Sequence, residues 1–256
     1  MQMLTNNSDK ALSLTTIGKI VGVLLVPCLW IIVKQTGLVS DRYLPSPSAV
    51  LSACFEVQPS VFYHFAVTAL RLVVGFISGV AAGIALGIVI NRSKLAESLL
   101  TPTLNTMRSV PAIAVVPFFL LWFGFSETGK ILLVITGIAF NIAVATKQAL
   151  DEMPDKHKIL FNSFNINPSD LVFDYTLPRL LETLLPTVRF SLSTAMGVVI
   201  VSELLGSQIG LGYLMQTARS TFSMHVIFLA TLMLGVLNVA VDACLKKLWT
   251  RAVFWV

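Results

Sequence analysis

The chain has 256 residues, 55% of them hydrophobic and only 12% charged, with a net charge of +5. About 25% charged residues is usual in a soluble globular domain, so this composition excludes one and predicts an all-α polytopic membrane protein. No basic run is interleaved with aromatics, which excludes a nucleic-acid binder. Cys28, Cys54 and Cys244 are too few and too scattered for a disulfide framework or a metal site.

Residues 1–16 form a polar tail, and 17–256 read as one membrane domain. The first apolar run, about 17–33, lacks a small-residue cleavage site and reads as a retained anchor. A loop with Leu44-Pro45-Ser46-Pro47 and a stretch able to form a short helix leads to the second span, about 66–90. There Gly75, Gly79, Gly83 and Gly87 recur every four residues, which sets a glycine face where another helix can approach closely. The third span, about 110–123, is short and contains Pro111 and Pro117, so a kinked or partly displaced crossing is expected. The fourth runs from about 131 to 149, the fifth from 186 to 205 and the sixth from 226 to 245. Six spans of roughly 20 residues fit a hydrocarbon core of about 30 Å.

The longest polar interruption, 147–179, lies between the fourth and fifth spans. Inside it Ile159, Leu160, Phe161 and Phe164 are spaced to line one side of a short helix. Pro154 and Pro168 bracket that helix, and Asn165 suits the left-handed conformation near its end. Such an amphipathic helix lies on lipid or docks in a groove of a partner, unless the stretch is a plain solvated loop.

Orientation follows from the basic residues. With the amino terminus inside, Lys10, Lys19, Arg92, Lys94, Arg108, Lys147, Lys156, Lys158, Arg179, Arg189, Lys246, Lys247 and Arg251 are cytoplasmic. Lys34, Arg42, Arg71, Lys130 and Arg219 are outside. That bias predicts cytoplasmic termini and a cytoplasmic 147–179 stretch.

The run Gly124-Phe125-Ser126-Glu127-Thr128-Gly129-Lys130 imitates a phosphate-binding loop. Ile131 replaces the required hydroxyl residue and no strand precedes it, so no nucleotide site is expected in this chain. The ionisable residues in or near spans are Arg71, Arg189, Glu203 and Asp242. These must pair, face a wet cavity or sit near an interface. Ser191, Ser193, Thr194, Gly197, Ser202 and Glu203 give the fifth span a polar, small-residue content that suits either a solute pathway or close helix packing.

An ordered series of motifs then resembles a known family. It comprises Leu44-Pro45-Ser46-Pro47, Arg71 with Gly75-Phe76, Arg108-Ser109-Val110-Pro111-Ala112 with Pro117, and Phe123-Gly124. Leu177-Pro178, Leu185-Pro186, Glu203 and Gly210-Leu211-Gly212 complete it. From about residue 43 onward the chain resembles the membrane-spanning permease subunit of bacterial ABC importers in the nitrate, sulfonate and taurine group. The resemblance implies a multi-pass inner-membrane subunit without catalytic residues or cofactor of its own. A separate ATPase would hold ATP and magnesium, an extracytoplasmic binding protein would deliver the solute, and a second permease copy would complete the pathway.

It also implies that 147–179 is the ATPase-coupling loop. The family pattern there is approximately Glu-Ala-Ala, three residues, Gly, then Leu-Pro. Here Ile159-Leu160-Phe161 takes the first positions, Asn165 the Gly position and Leu177-Pro178 the last. The implied solute is a small polar anion, although relatives also carry pyrimidine-type vitamin precursors. An ion-coupled secondary transporter is the alternative, and it calls for internal repeats and broken helices with midplane charges. Neither an obvious repeat nor charges near the centre of most spans is visible. A membrane enzyme would want clustered His, Asp or Glu, whereas His64, His157 and His225 are scattered.

Overall fold

A computed structural model describes residues 21–22, 24–152 and 177–252. Helices α1 (Leu24–Gln35) and α2 (Pro47–Glu56) precede α3 (Val61–Arg92), α4 (Lys94–Ser109), α5 (Ala112–Phe123) and α6 (Glu127–Asp151). After the 153–176 stretch come α7 (Leu177–Gly206), α8 (Leu211–Ser220) and α9 (Met224–Ala252). Among the described residues, α3, α6, α7 and α9 are each long and apolar enough to cross a membrane. These correspond to the expected second, fourth, fifth and sixth spans.

The glycine face organises the bundle. A Cβ added at Gly75 would come within 2.8 Å of Val134, and one at Gly79 within 2.6 Å of Ile138. At Gly83 it would meet Ile142 at 2.6 Å, and at Gly87 it would meet Thr146 at 2.6 Å. Both series advance by four residues in the same direction, so α3 and α6 run parallel with the missing side chains of one filled by the other. Only glycine permits that approach. Parallel neighbours require a return crossing between them, and α4 with α5 supplies it.

That return crossing is broken. It was expected as one short span at 110–123, but α4 and α5 meet at 100°. The cause is local. Pro111 disfavours helical backbone at the residue before it, and Val110 is extended at φ −80°, ψ 122°. Pro111 then opens α5. Ser93 caps α4 by accepting from the Ala96 amide at 3.3 Å, and Leu104 packs with Ile90, Ala143 and Val144.

Polar ties close both ends. At one, Asn91 Nδ2 donates to Asp151 at 2.8 Å and Lys147 pairs with Glu97 at 2.9 Å and Asp151 at 2.6 Å. At the other, Arg71 of α3 meets Glu127 of α6 and Glu203 of α7. Helix α9 joins α7 through Arg189–Asp242 at 2.8 Å and through Trp249 Nε1, which donates to the Leu181 carbonyl at 2.8 Å. Helix α1 reaches the bundle through Trp30, which donates to the Pro45 carbonyl and lies 5.7 Å from the Phe228 ring.

Candidate functional site

Two features concentrate the polar chemistry. The first is a cage at the start of α8. Gly210 has φ +132°, which only glycine adopts without strain, and it carries no side chain to cap the helix. The opening amides are satisfied from other helices instead. His64 Nδ1 accepts from Gly210 N at 3.0 Å, and Thr68 Oγ1 accepts from Leu211 N at 2.8 Å. Glu203 Oε2 accepts from Gly212 N at 2.9 Å. His64, Thr68 and Arg71 sit at i, i+4 and i+7 on α3, on the same stripe that continues into the glycines.

Glu203 is 0% exposed. Besides the Gly212 amide it accepts from Arg71 Nη1 at 2.6 Å and from Thr68 Oγ1 at 2.9 Å. Arg71 also donates Nε and Nη2 to the two carboxylate oxygens of Glu127 at 2.6 Å each, and Nη1 to the Ile209 carbonyl at 2.7 Å. Lys130 donates to Glu127 at 3.0 Å and to Ser207 at 3.2 Å. Two cations thus meet two carboxylates with every charge paired, an arrangement that fixes α3, α6, α7 and α8 together. A cavity of about 560 Å³ opens beside it, lined in part by Glu127, Ser207, Tyr213 and Gln216.

The imitation phosphate loop is absorbed here. Gly124 ends α5 at φ +63°, Ser126 caps α6 by accepting from the Gly129 amide at 3.1 Å, and Lys130 is tied to Glu127. The four ionisable residues singled out near spans pair among themselves, Arg71 with Glu203 and Arg189 with Asp242.

The second feature is the break between α4 and α5. Ala112 packs on Gly137 and Ile113 on Gly197, so the break faces the midsection of α6 and α7. Thr194 and Gly197 are partly exposed there, whereas Ser191, Ser202 and Glu203 are enclosed. Ser202 Oγ donates to the Val199 carbonyl within its own helix. Ile159, Leu160, Phe161, Phe164 and Asn165 lie outside the described residues. Leu177 opens α7 and Pro178 is part-buried in its first turn. His64, Thr68, Glu127 and Lys130 were not singled out from sequence as site residues. The heptad-like spacing 64-68-71 was the available signal for the first two. Among the described residues no three His, Cys, Asp or Glu side chains are grouped as metal ligands would be.

Long apolar helices tied at both ends, with one broken crossing between them, define a multi-pass membrane protein. Residues 79–251 match the binding-protein-dependent transport system inner membrane component family, and the chain belongs to it. It is 30% identical over 233 residues to an aliphatic sulfonates transport permease protein, SsuC, of Bacillus subtilis strain 168. That alignment covers 90% of this chain and 84% of the relative. It is 26% identical to the formylaminopyrimidine transport permease protein ThiX of Halalkalibacterium halodurans, covering 91% and 93%. Among solved structures, a chain of the inward-facing MetNI methionine ABC transporter superposes with a TM-score of 0.57 at 20% identity, over 75% of this chain and 98% of that one. At that identity the likeness speaks for the fold alone. The relatives are named as transport permeases, and the chain is a transport subunit and not an enzyme.

Proposed function

We propose that the chain forms the translocation pathway of an ATP-driven importer for a small polar anion of the sulfonate, taurine or nitrate kind. Two copies would surround the pathway, with both termini cytoplasmic. An ATPase subunit holding ATP and magnesium would dock on 147–179, and an extracytoplasmic binding protein would deliver the solute to the opposite end. Thr194 and Gly197 would face the solute, with Ser191, Ser202 and Glu203 behind them holding the wall.

One observation carries the reading. The 147–179 stretch joins α6 to α7, and its first residue, Lys147, is ion-paired to Glu97 on α4. A displacement of that stretch therefore enters the bundle at both core helices and at the base of the broken crossing. ATPase subunits closing on ATP would move it and open the pathway outward. The sulfonate class is supported by the SsuC relative, and the ThiX relative supports the pyrimidine-type alternative.

The test is purification of the chain from its native membrane, followed by assay for an accompanying ATPase. Phe161→Ala or Phe164→Ala should weaken that association or uncouple hydrolysis from uptake, since a buried aromatic anchor commonly costs about 2 kcal/mol or more when truncated. Lys158→Ala should do much less. An ion-coupled transporter would purify without any ATPase, and normal association and transport in both Phe variants would sink the docking assignment.

A further inference from the structure

The break between α4 and α5 leaves a cation without a partner. Arg108 lies in the last turn of α4, exposed, and among the described residues no carboxylate pairs with it. Arg71, Lys130, Lys147 and Arg189 are all ion-paired. Its depth follows from its neighbours. Leu104, one turn before it, packs with Ala143 and Val144, and Ala112, one turn after it, packs on Gly137. Gly137 is about ten residues, or roughly 15 Å of helix, from both Glu127 and Lys147, the ionic residues at the two ends of α6. Leu104 also packs with Ile90, near the Lys147 end. Arg108 is therefore held inside the span on the Lys147 side, and not in the cytoplasmic segment to which the count of basic residues assigns it. The other basic residues keep the same bias.

An unpaired guanidinium is costly against hydrocarbon and belongs in a wet cavity or beside an anion. The backbone beside it makes the same demand. Val110 and Pro111 are exposed and non-helical, and irregular backbone at membrane depth is tolerated only in protein or along a water-filled cavity. The start of α5, just beyond them, rests on Gly197 of α7, so Arg108 and the Thr194–Gly197 face border the same midsection.

We propose that Arg108 is the specificity residue of the pathway, its guanidinium receiving the oxyanion group of the solute inside the span. The planar fork of donors matches paired oxygens, as a lysine ammonium does not. The paired cluster around Arg71 has no charge left to offer an anion. This inference rests on the importer reading above and names the residue that would select for charge.

The assembled transporter, with its ATPase and binding protein, is reconstituted and ethanesulfonate uptake is measured. Arg108→Gln should lower the uptake rate about tenfold or more, and Arg108→Lys by less, because a charge-assisted hydrogen bond is lost in the first and only its geometry in the second. ATPase association and ethanesulfonate affinity of the binding protein should be unchanged. In a second arm Cys28, Cys54 and Cys244 are replaced by Ser and Thr194→Cys is introduced with Arg108 kept. A water-borne thiosulfonate reagent should label the new thiol, and sulfate or ethanesulfonate should slow labelling where glycerol does not. Unchanged uptake in Arg108→Gln, absence of water-borne labelling, or labelling indifferent to anions overturns the proposal. Labelling slowed by anions with Arg108 but not with Arg108→Gln, in a transporter that moves no sulfonate, overturns the sulfonate reading and leaves Arg108 as the anion contact.

Discussion

Replacing Glu203 by alanine tests whether the cage at the start of α8 holds the bundle together. The substitution removes a carboxylate that is 0% exposed and ion-paired to Arg71 at 2.6 Å. It also takes the acceptor from Thr68 Oγ1 and from the Gly212 amide. Breaking a buried ion pair by deleting one partner costs about 3–5 kcal/mol. Arg71 keeps Glu127 and the Ile209 carbonyl, which blunts the loss, while the orphaned Gly212 amide and the vacated volume add to it. The expected loss is thus about 4 kcal/mol, and at about 2–4 °C per kcal/mol for a chain of this size the melting temperature falls by roughly 8–16 °C.

Glu203→Gln keeps an acceptor for Thr68 and Gly212 but loses the charge, so about half that effect is expected. Glu127 has a side chain 57% exposed, but it is the carboxylate that pairs Lys130, whose side chain is 3% exposed, so Glu127→Gln should cost about 1–3 kcal/mol. The assay is heating of the detergent-solubilised chain followed by size-exclusion chromatography of the surviving fraction. A Glu203→Ala melting temperature within about 2 °C of the unsubstituted chain would refute the reasoning, since it lies far below the shift worked out above. Reduced uptake at unchanged stability would instead return Glu203 to direct contact with the solute.

Two further outcomes are expected. Gly83→Leu should separate α3 from α6, because even a Cβ would stand 2.6 Å from Ile142 and 2.7 Å from the Ala139 carbonyl. Gly235→Ala meets nothing within 4 Å and should be neutral or stabilising by up to about 1 kcal/mol. Equal melting temperatures for the two variants would contradict the close-approach account. For orientation, a reporter active only outside the cytoplasm should work when fused near Gly129 and fail near Asn167, and the reverse pattern overturns cytoplasmic termini.

The sequence reveals features whose cause is local or periodic. The α3 glycines repeat every four residues, so the close-packed face was readable without knowing that Val134, Ile138, Ile142 and Thr146 fill it. Pro111 and Pro117 in a short apolar run announced a distorted third crossing. The helix before the break was not readable, because α4 alternates Leu95, Leu99 and Leu104 with Glu97, Thr101 and Thr103 and contains Pro102. Helix α8 was hidden similarly. Its ten residues include Gln216, Thr217 and Arg219, and its start is capped by residues from α3 and α7. The pairing of Arg71 with Glu203 spans 132 positions, and only the fold brings them together. Charge balance in the membrane required each to have a partner but did not say which.

The distribution of ties also says where the chain can move. Helices α3 and α6 interlock through four glycines, and the Arg71 cluster adds α7 and α8 at one end. Relative sliding of these four elements would break buried ion pairs and open voids together, so they are best regarded as one rigid body. The α4–α5 crossing is held differently. It has no backbone hydrogen bonds of helical kind across Val110, and its base is attached through Lys147–Glu97, whose side chains are 15% and 47% exposed. A partly exposed pair of that kind is weak enough to be remade. On the importer reading proposed above, the hinge would have one end on the stretch an ATPase would engage and the other at Arg108, beside the midsection of α7. On that reading, force applied at 147–179 would turn α4 about the break and move the guanidinium, while the rigid body would hold the opposite end in place for a binding protein.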